Sequence, residues 1–273
     1  MSIKGHSRLA LSVALVMAFL FSLSSAAFAA TKTLTVFAAA SMTESLNEIA
    51  GLYKASAPDV EVVFNFDSSG TLKTQIQQGA ECDIFISAGQ KQMDQLDIAA
   101  DAKLNTDKLD FVLSGTRFNI VSNRVVLIVP KGKNPNGISD FKDVATDKVK
   151  LIALGNSDVP VGQYSEEIYK KLGLWDQLNS DKKISFASNV KEVVSQVDAG
   201  AVDCGVVYST DAATASGVEV AADAPDGSHA PITYPAAILK TVKDEAAAKA
   251  FVEFLKNDES SNVFKRIGFS IPR

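Results

Sequence analysis

Histidine is scarce in this 273-residue sequence: there are two, His6 and His229. His6 falls in an N-terminal segment that reads as removable, which leaves His229 alone in a loop. A Ser-His-Asp hydrolase would have to use His229, and nothing places it beside a serine. The plainer reading of His229 is a solvated loop residue. No grouping of His, Cys, Asp and Glu has metal-ligand spacing. No Gly-x-Ser-x-Gly elbow, Walker phosphate loop or dinucleotide fingerprint occurs. Long basic runs are missing too, which argues against nucleic acid or an anionic membrane as partner. There are two cysteines, Cys82 and Cys204. A disulfide is the ordinary expectation for an exported chain, but each Cys precedes a strand in a different half of the sequence. The expectation is therefore two free thiols that pack as small apolar groups.

A second long apolar run is also lacking. The first, Leu9–Leu23, follows Lys4 and Arg8 and is too short for a confident membrane span. Ala27-Phe28-Ala29 supplies a small-x-small cleavage pattern, so residues 1–29 read as a signal peptide cut after Ala29 or Ala30. No cysteine follows the cut, which argues against a lipid anchor. The expected location is a bacterial periplasm. Removing residues 1–29 leaves 25 basic against 32 acidic side chains, a balance of −7. If such a chain binds an anion, overall charge does not draw the ligand in.

What the sequence does have is a repeated strand-to-helix turn built from small and hydroxyl residues. Val36-Phe37-Ala38-Ala39-Ala40-Ser41 reads as a buried strand feeding a helix, with Ser41 and Glu44 spaced as a capping box. Comparable turns follow at Ser68-Ser69, at Val159–Gly162 with Pro160 near a helix start, at Ser188-Asn189-Val190 and at Tyr208-Ser209. Each alone is a helix cap. Together they stand at the carboxyl ends of strands, where α/β sheets bind ligands. Free N–H groups and the positive end of a helix dipole make such turns anion sites. Tyr208 has two readings, a core aromatic or a hydroxyl aimed into the cleft. Asp67 and Asp158 flank the turns and read as loop braces, since a carboxylate facing an anion repels it.

Alternating strands and helices predict an α/β fold with mostly parallel sheets. Phe118–Val121 and Val125–Val129, separated by Ser122-Asn123-Arg124, read as the crossing into a second lobe, and Ile232–Leu239 as the return. The expected division is 30–121 plus 234–273 for lobe 1 and 122–233 for lobe 2, with a two-strand hinge and a ligand cleft between them. Gln75–Ile84 and Gln196–Val206 both read helix, Gly-Ala, Cys, strand, a weak internal repeat.

The turns carry a family resemblance. Val36-Phe37-Ala38-Ala39-Ala40-Ser41, Phe66-x-Ser68-Ser69-x-Thr71-Leu72, Asp83-Ile84-Phe85-Ile86-Ser87-Ala88 and Val207-Tyr208 resemble the molybdate-binding proteins of bacterial molybdate ABC importers. Val159-Pro160-x-Gly162-x-Tyr164, Lys171-Leu172-Gly173-x-Trp175 and Phe264-Lys265-Arg266-Ile267-Gly268-Phe269 extend the likeness, in order, over the mature chain. The resemblance implies a two-lobed periplasmic binding protein of type II, with mixed, mostly parallel sheets flanked by helices. It implies that molybdate or tungstate is held by Ser41, Ser69, Val161, Val190 and Tyr208, with molybdenum bound only as its oxyanion and no direct protein–metal ligand. It further implies no cofactor, no enzymatic activity, a monomer, and an inner-membrane ABC permease as partner. Two positions depart from the family pattern: Gly70 where serine is common, and Val161 where a small alanine is. The alternatives are a sulfate or other oxyanion binder and, from a different class, a periplasmic serine-dependent enzyme.

Overall fold

The computed structural model describes residues 31–272, so the signal segment and its cleavage site lie outside the described residues. The chain opens on strand β1, Lys32–Ala39, whose inward residues Leu34, Val36 and Ala38 are fully buried. A single 3₁₀ turn, Ala40–Met42, then leads into helix α1, Thr43–Ser56. Leu46, Ile49 and Tyr53 form its buried stripe at helical spacing. Tyr53 meets Phe251 and Phe254 edge-on, at ring separations of 5.0 and 5.1 Å, so the C-terminal segment closes over this face.

Strands β2 (Val60–Asp67), β3 (Ile84–Ile86) and β4 (Phe118–Ser122) join β1 with β10 (Thr233–Ile238) in one sheet, ordered β2-β1-β3-β10-β4. Helices α2 (Ser69–Gln77) and α3 (Gln90–Asp94) follow β2 and β3. The second sheet contains β5 (Val125–Pro130), β6 (Ile152–Gly155), β7 (Ile184–Ala187), β8 (Cys204–Tyr208) and β9 (Val218–Asp223), ordered β7-β6-β8-β5-β9. Its helices are α4 (Pro160–Lys171), α5 (Trp175–Ser180), α6 (Val190–Asp198) and α7 (Ser209–Thr214). Helices α8 (Glu245–Leu255) and α9 (Asp258–Ile267) end the chain.

The two orders are the same pattern written twice. In each sheet four strands run one way and one runs against them: β10 in the first, β5 in the second. Sheets are thus mixed, and mostly parallel by strand direction. By pairing, two contacts in each are parallel and two antiparallel, because the reversed strand has a neighbour on both sides. β3 and β8 hold equivalent places, so the Gln75–Ile84 and Gln196–Val206 likeness falls on equivalent segments. The chain changes sheet twice, at Asn123-Arg124 and between Asp223 and Thr233.

Two elements differ from expectation. β9 pairs with β5 in a stretch that had no strand reading; its burial is partial and Val220 is 50% exposed, so no clean alternation marks it. The short α5 around Trp175 was likewise unmarked. Cys82 and Cys204 are both free and buried; Cys82 precedes β3 as expected, whereas Cys204 is itself the first residue of β8. Burial pushes the Cys82 thiol up to about 12 and the Cys204 thiol further up. Among the described residues no helix is long and apolar enough to cross a membrane.

Candidate functional site

Parallel register brings the carboxyl ends of neighbouring strands level. Ala39 stands beside Asp67 and Ala38 beside Ile86 in the first sheet; Gly155 stands beside Ala187 in the second. The turns that follow face one small cavity, of about 10 Å³. Ser41, Ser69, Val161, Val190 and Tyr208 all line it, two from turns of the first sheet and three from the second. Small residues, Ala39, Ala40 and Ala88, make room for it.

Ser41 arrives differently from the sequence expectation. It lies inside the 3₁₀ turn, α1 has no side-chain cap, and the capping box with Glu44 does not form. The Ser41 hydroxyl is instead 3.0 Å from the Tyr234 hydroxyl, 193 residues away, and is buried. A tertiary partner has displaced the local one. Ser68 does cap α2, accepting from the Thr71 N–H at 3.1 Å. This leaves Ser69 in the first turn of α2, fully buried. The Ala88 N–H donates to Ser69 Oγ at 2.9 Å. With that acceptor direction filled, the Ser69 proton is free to point elsewhere.

Val161 is the second residue of α4. Pro160 before it has no N–H, so Val161 carries the first amide donor of the helix, and first-turn donors have no intrahelical acceptor. The turn depends on Gly162: a Cβ there would lie 2.6 Å from the Asn156 carbonyl oxygen. Val190 is the first residue of α6, behind the cap Asn189, whose side chain accepts from Glu192 N–H. Val161 and Val190 therefore present backbone N–H, and their side chains are buried in the hydrophobic core.

Tyr208 satisfies both of its readings. It is 1% exposed and packs near Tyr164 and Tyr234, yet its hydroxyl reaches across to donate to the Ala88 carbonyl at 3.4 Å. Burial holds its phenol well above the usual tyrosine range, so it is a proton donor at any ordinary pH. Asp67 lines the cavity, with its Oδ1 accepting from Ser68 N–H at 2.7 Å and from Asn189 Nδ2 at 3.2 Å. Asp158 keeps its side chain exposed and offers its carbonyl oxygen to the Gly70 N–H at 3.0 Å. Both aspartates thus brace turns. A serine at position 70, which the family often carries, would not fit against Asp158 here: a Cβ would lie 2.7 Å from Asp158 Cβ.

Four contacts join the two sides of the cavity: Gly70 with Asp158, Asn189 with Asp67, Tyr208 with Ala88, and Lys191 with Glu44 at 2.8 Å. Lys191 also lies 3.1 Å from Asp211, whose carboxylate is fully buried. Burial pushes the Asp211 carboxyl up to about 6, against the pull of Lys191. No Lys or Arg lines the cavity. It offers hydroxyl and amide donors, a surface for an anion without a counter-ion.

The turn at Ser87-Ala88-Gly89 is part of the same construction and was not among the sequence-predicted turns. It is the third turn of the first sheet, after β3, and equivalent to the turn after β8 that carries Tyr208. Counting three turns per sheet would have found it. Asn123 and Tyr234 carry no comparable local signal. His229 lies elsewhere, 5.7 Å from the Tyr164 ring and beside a wider hollow with Arg124 and Asp223. Among the described residues no group of His, Cys, Asp and Glu is placed to hold a metal ion.

A mixed two-sheet α/β fold with an anion-type cavity between strand ends defines a class of solute receptor. The chain belongs to the bacterial extracellular solute-binding protein family, whose model matches residues 34–270. It is 36% identical over 246 residues to the molybdate-binding protein ModA of Haemophilus influenzae, covering 89% of this chain and 92% of that one. It is 37% identical over 245 residues to ModA of Escherichia coli, covering 87% and 89%. Among solved structures, the periplasmic molybdate-binding protein of Azotobacter vinelandii superposes with a TM-score of 0.75 at 27% identity, covering 88% of this chain and all of that one.

Proposed function

We propose that this protein captures molybdate, and tungstate with it, in the periplasm and delivers the oxyanion to an inner-membrane ABC permease. The observation that carries the proposal is the convergence of Ser41, Ser69, Val161, Val190 and Tyr208 on one small cavity whose one carboxylate, Asp67, has an oxygen engaged by Ser68 N–H and Asn189 Nδ2. The hydroxyls of Ser41, Ser69 and Tyr208 and the amides of Val161 and Val190 donate to the four oxygens. Each hydrogen bond to a charged group is worth roughly 1.5–3 kcal/mol. Five of them, less the entropy of capture, reach about −10 kcal/mol, or sub-micromolar binding. The bound molybdate is cargo, and no further cofactor is invoked.

In this reading residues 30–121 with 234–273 and residues 122–233 move as two lobes about the two crossings. The Gly70–Asp158, Asn189–Asp67 and Lys191–Glu44 contacts form on closure, the Tyr208 hydroxyl turns its one proton from the Ala88 carbonyl to the anion, and the closed form docks on the permease as a monomer. The signal peptide is removed after Ala29 or Ala30. Calorimetric titration of ligand-stripped protein with molybdate, tungstate, sulfate and phosphate tests the proposal. One-to-one binding of the first two at least a hundredfold tighter than the others supports it; sulfate binding as tight as molybdate refutes the choice of anion. Silence toward all four refutes the receptor reading.

A further inference from the structure

Asn123 lies in the first crossing between the sheets, away from the cavity lining, and its side chain makes four hydrogen bonds. Its Oδ1 accepts from Arg124 N–H at 2.8 Å and from the Ser209 hydroxyl at 3.0 Å. Its Nδ2 donates to Thr210 Oγ1 at 2.9 Å and to the Tyr234 hydroxyl at 3.2 Å. The Arg124 N–H is a backbone group that can only donate. It therefore fixes which end of the Asn123 amide is oxygen, and the other end must be the NH₂.

The consequence runs along a chain of buried groups. Tyr234 is fully buried, and its hydroxyl has two partners, Asn123 Nδ2 and Ser41 Oγ. A phenolic oxygen has one good acceptor direction in the ring plane beside its own proton. Asn123 fills the acceptor direction, so the Tyr234 proton goes to Ser41 Oγ. Ser41, having accepted, has its own proton left for the cavity. Ser69 is set the same way by the Ala88 N–H. We infer that Asn123 is a positioning residue: through Tyr234 it fixes the Ser41 hydroxyl as a donor to the bound anion, and so favours oxyanions that carry no proton. The inference rests on the oxyanion-receptor reading above.

The substitution that reverses the relay is Asn123→Asp, close in shape and unable to donate from its carboxylate. Tyr234 then gives its proton to the introduced carboxylate, and its oxygen draws the Ser41 proton out of the cavity. Tyr234→Phe removes the relay while leaving the Ser41 proton free. The test is a double-mutant cycle of molybdate affinity, by calorimetric titration of wild type, N123D, Y234F and N123D/Y234F, with ligand-free melting temperatures. N123D is expected to weaken binding about 10- to 100-fold, one charge-assisted bond, and Y234F by less than about tenfold. In the Y234F background N123D is expected to cost no more than about threefold, since only the added charge then acts. Hydrogen phosphate should lose less than molybdate does in N123D, narrowing the ratio between them. Equal cost of N123D in both backgrounds overturns the relay and assigns the effect to charge or packing. An N123D variant that binds like the wild type overturns it as well. A wild type silent toward molybdate overturns the receptor reading instead, and the relay with it.

Discussion

Replacing Gly70 by alanine sets folding against binding. Gly70 is the second residue of α2, and its N–H donates to the Asp158 carbonyl on the other side of the cavity. A Cβ at this position would lie 2.7 Å from Asp158 Cβ and 2.8 Å from Asp158 Cα. Carbon atoms at contact sit about 3.5–4.0 Å apart, so the two sides must part by about 1 Å. The obstacle is the main chain and its first carbon, with no flexible tip to give way. Charge-assisted hydrogen bonds are about 2.7–2.9 Å long, and an extra ångström takes them out of range. If two of the three donors from the second sheet are lost, at roughly 1.5–3 kcal/mol each, the cost is about 3–6 kcal/mol. That is roughly a 10²- to 10⁴-fold rise in Kd. The ligand-free protein should not suffer, because alanine in a helix is favoured over glycine by about 0.5–1 kcal/mol. Calorimetric titration with molybdate and a melt without ligand read the two effects separately. A G70A variant that binds within threefold of the wild type would refute the closed geometry at this turn.

Other outcomes follow from the same contacts. Ser69→Ala removes one donor to the anion and leaves the Ala88 N–H without its partner; molybdate affinity should fall about 10- to 100-fold by titration. Lys191→Met leaves the buried Asp211 carboxylate without its cation. Lys191 keeps about a third of its side chain in water, so the loss should be on the order of 2–3 kcal/mol in urea melts at pH 8, below that of a fully buried pair. The sign with pH is fixed by Asp211: its folded-state value, near 6, is above the ordinary 3.8, so the folded state binds more protons and gains from this group as pH falls through 6. The deficit of K191M should therefore shrink at pH 5; a deficit that grows on acidification contradicts this assignment. Cys82 and Cys204, buried with raised thiols, should resist a thiol reagent in native protein and yield two equivalents in denaturant.

Much of this was legible because an α/β chain writes its signals locally. A buried run ending in Ala38-Ala39-Ala40, a Ser68 cap, Pro160 at a helix start and Asn189 before α6 each announce a turn within a few residues. Ser41 shows where local reading stops. Its spacing to Glu44 fits a cap, yet its hydroxyl bonds Tyr234 and Glu44 pairs with Lys191, partners 193 and 147 residues away. β9 was illegible because Glu219 and Val220 are exposed on an edge strand, so neither face sets a pattern. The repeat around β3 and β8 is visible in sequence only as the weak likeness of Gln75–Ile84 to Gln196–Val206, and the sheet order that makes the two strands equivalent is a long-range property.

The most direct measurement is a crystal structure of the protein with molybdate, with the molybdenum located by its anomalous signal. One molybdenum is expected, in the cavity between the sheets. Its oxygens should lie within hydrogen-bonding distance of the Ser41, Ser69 and Tyr208 hydroxyls and the Val161 and Val190 amides. Molybdenum at any other place, such as the hollow beside Arg124 and His229, would contradict it.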